Sequence, residues 1–561
     1  MTISDIYAQN GIYRNNNREL SEEQDYYFLL TEATKLYLFG QIFQAVNIYK
    51  QCLILKPESP AVNYRMAEIL YRAGNITEAK KYAYNAYIND NENIWYAQLL
   101  AALYEESNNL DSAAIIFMDL LSKRKEDIDL LLKLSEIEEK RNNYDQALIY
   151  LNQIDNIIGL TKEVNIAKYR ILLKNNKRNE ALNSLYGALK ISNEDYTILG
   201  ILAEHFRDIG LKDSASYYYN RIYDDHKDDP AVCFSYGEFL LSYKDNNRAQ
   251  KVFLDYLTNN VQDLSIFSSY LYSIINEKKK FDLISPIIDT VSKAYFRNIG
   301  DDPRYISIYV DIQLKLNHYL DASKGLKMLI IHNNDNYSLY EQLLFCYTYL
   351  NQKDSIVKYA EITGNKFKGK PISFLILGNT LYSQKEFNKA VEILENGLKC
   401  NMDDKLRMSY YSSLAESYME LKEYELAYKY FENALIIDPK QLSVRNNYAY
   451  YLAIRNERLD YAENLSKLTI LNEPDNASYL DTYGWIMYIK GYLKKAKKYV
   501  EKAIEIGNES EGEVLYHYAE ILFKLGKKSE ALIYYNKAKA VLKDKSIESI
   551  NERIAEIQNF K

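Results

Sequence analysis

Proline and glycine are scarce in this chain of 561 residues, at 8 and 19. That excludes long disordered linkers and the turn-rich spacing of an all-β domain, because both depend on those two residues. The four cysteines, Cys52, Cys233, Cys346 and Cys400, lie far apart with no CxxC pair. Neither a disulfide framework nor a zinc site is indicated, and they read as small core fillers. The five histidines, His205, His226, His318, His332 and His517, form no HExxH motif and pair with no cysteine at metal-ligand spacing. His205, in "AEHF", reads as a structural residue of its helix. A Gly-rich phosphate loop, a GxSxG elbow and a dinucleotide fingerprint are absent as well. The chain is therefore expected to be no enzyme, with no catalytic residues, no cofactor and no metal. No apolar run approaches the roughly 20 residues of a transmembrane helix.

A clustered basic face is also missing. Seventy basic and 77 acidic residues are interspersed, for a net charge of −7, which argues against nucleic acid as a partner. The densest basic runs, "NEKKKF" (Asn276–Phe281) and "LKKAKKYV" (Leu493–Val500), are short enough to be solvated helix faces. The N-terminal "MTISDIYAQNGIYRNNN" lacks the charged start and apolar middle of a signal peptide. Its "DIYAQN" nevertheless resembles the end of one, with Ala8 at the cleavage point. Residues 1–25 are therefore set apart as the possible remnant of a leader. On that reading the protein belongs to the cell envelope or periplasm; as the sequence stands, it belongs to the cytoplasm.

What the chain does contain is repetition. "KEYELAYKYFENALIIDPK" (Lys422–Lys440) and the earlier "KEFNKAVEILENGLKC" say nearly the same thing in different letters. The alanine after each short polar turn falls at Ala45, Ala79, Ala113, Ala147, Ala181, Ala215 and Ala249, always 34 residues apart. The series resumes at Ala322, Ala390, Ala427, Ala462, Ala496 and Ala531, with Ile284 and Ile356 in the gaps. Within the unit Met408–Gln441, Tyr411, Leu414, Ala415 and Tyr418 share one face of a first helix. Ala427, Phe431, Ala434 and Leu435 share one face of a second. Pro439 ends that second helix and pushes Asp438 out of the α region. Small residues at recurring seats let backbones approach, and the exposed stripe of each helix pair requires the next pair to stack on it.

These residues resemble the tetratricopeptide repeat (TPR) family, whose signature is W-x2-L-G-x2-Y, then A-x3-F, then P. The best unit carries it as Leu414, Ala415, Tyr418, Ala427, Phe431, Ala434 and Pro439; the first unit carries Leu36, Ala45, Tyr49 and Pro57. Ala or Ser often replaces the glycine, and the proline is usually missing. The resemblance implies an all-α, right-handed α-solenoid of about fifteen stacked helix-turn-helix units over residues 26–545. The C-terminal third is similar to a bacterial multi-TPR type. Spacing slips to 38 residues between Ile284 and Ala322, around Pro286, and Asn298–Pro303 is the best loop candidate. The expected division is an N-terminal array over 26–300, a C-terminal array over 301–545, and a capping helix over 546–561 with Ile547, Ile550, Ile554 and Ile557 on one face. A second slip, of 37 residues, is assigned to a longer loop at "KCNMDDKLR".

In TPR proteins the face of the first helix opposite the core lines a concave groove that holds proteins or extended peptides. The resemblance thus implies a non-enzymatic scaffold or adaptor with a protein or peptide partner. The alternative is a structural or self-assembling subunit of a larger complex. The only two tryptophans, Trp95 and Trp485, both miss the core seats. Near Trp485 the expected groove collects Tyr450, Asp481, Tyr488, Tyr516, Glu520 and Phe523, an aromatic cluster with carboxylates that suits an anchor site. The Lys and Asn set with which chaperone-adaptor TPRs grip a C-terminal carboxylate is not supplied in any three consecutive units.

Overall fold

A computed structural model of the chain describes residues 22–192, 195–507, 512–542 and 546–559. Most of the expected leader remnant, up to residue 21, lies outside the described residues. The described residues form 31 α-helices and no strand, numbered here α1 (Glu22–Leu38) to α31 (Ser546–Asn559). The first thirty make fifteen helix-turn-helix pairs, with odd numbers for the first helix of each pair. The fold is an all-α solenoid of stacked pairs, as the repeat requires.

Every alanine of the register is fully buried, and Ile284 and Ile356 are buried in the same seat. The seat is small because a neighbouring helix leaves no room. At the glycine seat of the first helix, a Cβ on Gly378 would lie 2.5 Å from Leu394, and one on Gly484 would lie 2.5 Å from Val500 Cγ2. Overpacking of this kind costs about 1–3 kcal/mol. Burial also pushes the Cys52 thiol up to about 12 and the Cys346 thiol to about 11, so both sit as inert core fillers.

Two further registers accompany the alanines. Ser59, Asn93, Asp127, Thr161, Asp195 and Asp229 stand 34 residues apart, each with a side chain accepting from a backbone N–H of the first turn. Such a cap is worth about 1 kcal/mol. Gly40, Gly74, Asn108, Asn142, Asn176, Gly210 and Lys244 hold the turn within each pair at positive φ, again 34 apart. Glycine and asparagine tolerate that region best.

The slips in spacing have local causes. Pro286 lies inside α16 (Lys278–Asn298), which runs for 21 residues and follows α15 (Ser265–Asn276) after the single residue Glu277. The next helix, α17 (Pro303–Lys315), begins at Pro303 behind the capping Asp302, so Ile299–Asp302 link the two. The segment "KCNMDDKLR" is only partly a loop. Asp403 caps α23 (Asp404–Glu420) by accepting from Leu406 N at 2.8 Å, which draws Asp404–Arg407 into a first helix of 17 residues. The turn after α24 (Tyr424–Ile437) comes where Pro439 demands it, with Asp438 extended at φ −133°.

The chain divides into two compact units, Met1–Val252 and Phe253–Lys561. In each unit, contacts join consecutive helices, and beyond them the first helices of neighbouring pairs. Examples are α3 (Pro60–Arg72) with α5 (Ile94–Glu106) in the N-terminal unit. In the C-terminal unit α25 (Leu442–Ile454) meets α27 (Ala477–Ile489), which meets α29 (Gly512–Lys524). First helices therefore line the inner side of each stack. At the end of the C-terminal unit, α31 packs on α30 (Lys528–Val541), with Ile550 and Ile557 buried in the core shared by the last five pairs.

Candidate functional site

Seven of the eight candidate residues lie in the C-terminal unit; Trp95 lies in the N-terminal one. On α27, Asp481, Trp485 and Tyr488 fall at i, i+4 and i+7 and so share a face. On α29, Glu513, His517 and Glu520 do the same, flanked by Tyr516 and Phe523. The two faces meet in a stack. The Trp485 ring lies 4.0 Å from the His517 ring at 17° and 4.7 Å from the Tyr488 ring at 16°. Tyr450 on α25 has its ring 6.5 Å from that of His517, and its hydroxyl donates to Glu513. Tyr516 has its ring 6.1 Å from His517 and 6.3 Å from Tyr535 of α30.

Two buried charge systems support the stack. His517 Nδ1 lies 3.0 and 2.9 Å from the carboxylate oxygens of Asp481, and both residues are buried. Burial alone would push the imidazole down. Asp481, with Glu513 and Glu520, outweighs it and holds His517 above its ordinary value. Glu520 is the second centre. Its oxygens accept from Tyr488 at 3.1 Å, Tyr535 at 2.6 Å, and Arg553 Nε at 3.0 Å. Arg553 reaches in from α31 and also lies 5.2 Å over the Phe523 ring. Burial and the Glu520 charge push the Tyr488 and Tyr535 hydroxyls far up, so both stay neutral donors.

This arrangement sorts the candidates. Asp481 and Glu520 are buried members of internal networks. Trp485, Tyr488, Tyr516 and Phe523 are half-buried and packed against the core, and Tyr450 is half-buried as well. The Trp485 indole nitrogen is buried with no acceptor. Trp95 stands apart on α5, 65% exposed, with its backbone N–H donating to the capping Asn93. Sequence reasoning missed His517 as the centre of the cluster, together with Arg553, Tyr535 and Glu513. The spacing of Glu513, His517 and Glu520 along one helix face was the available signal.

Tetratricopeptide-repeat family models match residues 36–103, and again 409–441 and 512–541. The first match runs from the end of α1 to α5 and contains Ala45 and Ala79, and the last contains α29 and α30 but not α27. The chain carries tetratricopeptide repeats. It is 28% identical over 132 residues to the TPR repeat-containing protein PA4667 of Pseudomonas aeruginosa, a stretch that is 24% of this chain. That stretch spans only 22% of the relative's own length. Among solved structures, a tetratricopeptide repeat protein from Parabacteroides merdae aligns with a TM-score of 0.39 at 15% identity, over 46% of this chain and all of that one. The Cut9–Hcn1 assembly of the APC/C aligns with a TM-score of 0.38 at 12% identity, over 96% of each chain.

Proposed function

We propose that this TPR protein is a non-enzymatic scaffold, and that the inner face of its C-terminal unit holds an extended segment of a protein partner. The observation that carries the reading is the Trp485 stack. A tryptophan at a non-core position lies between Tyr488 and His517, and both of these are fixed from behind by buried carboxylates. Aromatic side chains held in one conformation lose little entropy on contact, which is what an anchor needs. Tyr516 and Phe523 extend the aromatic surface along α29. The buried networks supply rigidity, and the half-buried rings supply the contact.

The test is capture of partners from host extract by the full chain, native or carrying Trp485→Ala with Tyr488→Ala. Circular dichroism first establishes that both are folded. A protein retained by the native chain and lost from the double variant is the expected result. Equal retention by both would sink the groove reading and move the contact to another face.

A further inference from the structure

A cavity beside the tryptophan stack carries an inference that rests on the reading above. It measures about 220 Å3 and is lined entirely by first helices, α23, α25, α27 and α29. Its wall holds three carboxylates, Glu416, Asp481 and Glu513, two tyrosines, Tyr450 and Tyr451, and no lysine or arginine. His517 is paired with Asp481, which leaves the other two carboxylates in excess. Glu416 is half-buried and accepts from two neutral donors, Asn447 Nδ2 at 2.8 Å and Ser412 Oγ at 3.4 Å. Burial pushes its carboxyl above the usual range. A carboxylate so placed is poorly compensated and gains from a cation brought beside it.

Asn446 gives an independent indication. It lines the same cavity at 5% exposure, and its Oδ1 is buried without a donor. An orphaned amide oxygen next to uncompensated carboxylates asks for a group with several N–H donors and a positive charge. An ammonium has three such donors and a guanidinium five. The tyrosine faces add the attraction of a ring for a cation.

We propose that this cavity takes the charged end of a lysine or arginine side chain from the partner segment that lies along the aromatic row. The preferred segment then carries a cation at one fixed position, beside residues that contact Trp485 and Tyr488. A lone acidic surface would attract basic chains without regard to position; this cavity selects a position.

Selection of short random peptides on the immobilised full chain tests it. The expected outcome is enrichment of sequences with Lys or Arg at one position. Glu416→Gln should weaken a synthetic enriched peptide about tenfold or more, the loss expected when a hydrogen bond between charged groups goes. Glu425→Gln, which removes the same charge from an exposed site on α24, should leave binding unchanged. Changing the fixed cation of the peptide to Gln should weaken binding to the native chain and abolish its sensitivity to Glu416→Gln. If Glu416→Gln does not fold, Asn446→Asp takes its place and should strengthen binding by adding a carboxylate. Enriched peptides without a fixed cation, or with binding indifferent to both variants, overturn the cation site. If those peptides still need Trp485 and Tyr488, the groove itself stands; if they do not, or if nothing is enriched, both readings fall.

Discussion

His205 and His517 are both buried on first helices, and each is hydrogen-bonded through Nδ1 to the side chain 36 residues upstream. The partner of His205 on α11 (Tyr196–Asp208) is the Tyr169 hydroxyl on α9 (Lys162–Lys174), at 3.1 Å. The partner of His517 is the Asp481 carboxylate. Burial pushes both imidazoles down. Beside the neutral phenol that effect wins and His205 is held below its ordinary value. Beside the carboxylate it loses, and His517 is held above. The repeat thus supplies one geometry, and a single upstream residue decides whether it stores a charge. The N-terminal instance is ordinary packing, whereas the C-terminal one underpins an aromatic stack.

Removing each partner should separate the two most widely. Asp481→Ala breaks a buried pair and strips His517 of its partner, and the opening free energy of the α29 amides should fall by about 3–5 kcal/mol in hydrogen exchange. Tyr169→Phe costs one neutral hydrogen bond, and α11 should lose about 1–3 kcal/mol. Losses of equal size would erase the distinction.

A subtler change targets charge alone. In Asp481→Asn the shape is kept, and the NMR titration of His517 should move from above the ordinary histidine value to below it, joining His205. A midpoint that stays high would mean that Glu513 and Glu520 suffice without Asp481.

The two sites should also respond to pH with opposite slopes. The folded state binds the His517 proton more tightly than the unfolded chain does. Its contribution is therefore complete below the ordinary value of about 6.5 and is lost as pH rises through the raised folded value. His205 binds its proton less tightly when folded, so its region loses stability as pH falls below about 6.5. Exchange protection of α29 and α11, followed between mildly acidic and mildly basic pH, should decline at opposite ends.

The smallest effect belongs to Trp95. Exposed and outside the core, it should tolerate Trp95→Phe within about 0.5 kcal/mol. That variant leaves Trp485 as the only indole. Because its ring lies against the His517 imidazole, its emission should brighten as His517 loses its proton at higher pH. Emission that ignores pH would place the charge elsewhere.

Much of this fold could be read in advance because packing repeats itself in letters. The alanine seats, the stop at Pro439 and the number of helix pairs all follow from side-chain volume and period. The caps and the positive-φ turns were equally periodic, but their residue types vary among Ser, Asn, Asp and Thr, or among Gly, Asn and Lys, and only backbone conformation unites them. The "KCNMDDKLR" segment misled for the same reason, since Asp403 acts there as a helix start. At the candidate site, opposition to the core seats found the aromatic rings. It could not find Arg553 or Tyr535, which arrive from the terminal helix and a second helix. Nor could it show that Asp481 and Glu520 are consumed by partners inside the fold.

The paired registers of caps and turns bear on how such a chain changes length. Each 34-residue unit carries its own start signal and its own reversal, so a segment copied or deleted from one cap to the next meets a neighbour already shaped to receive it. Removing residues 93–126 would set Asp127 in the place of Asn93, with the alanine seats still in step. The stretch from α15 to α17 has no such freedom. There the turn runs through Glu277 at φ −117°, the second helix is long, and the beat of the registers is lost. Inherited duplications can therefore enter almost anywhere along the first seven units, but not across that seam.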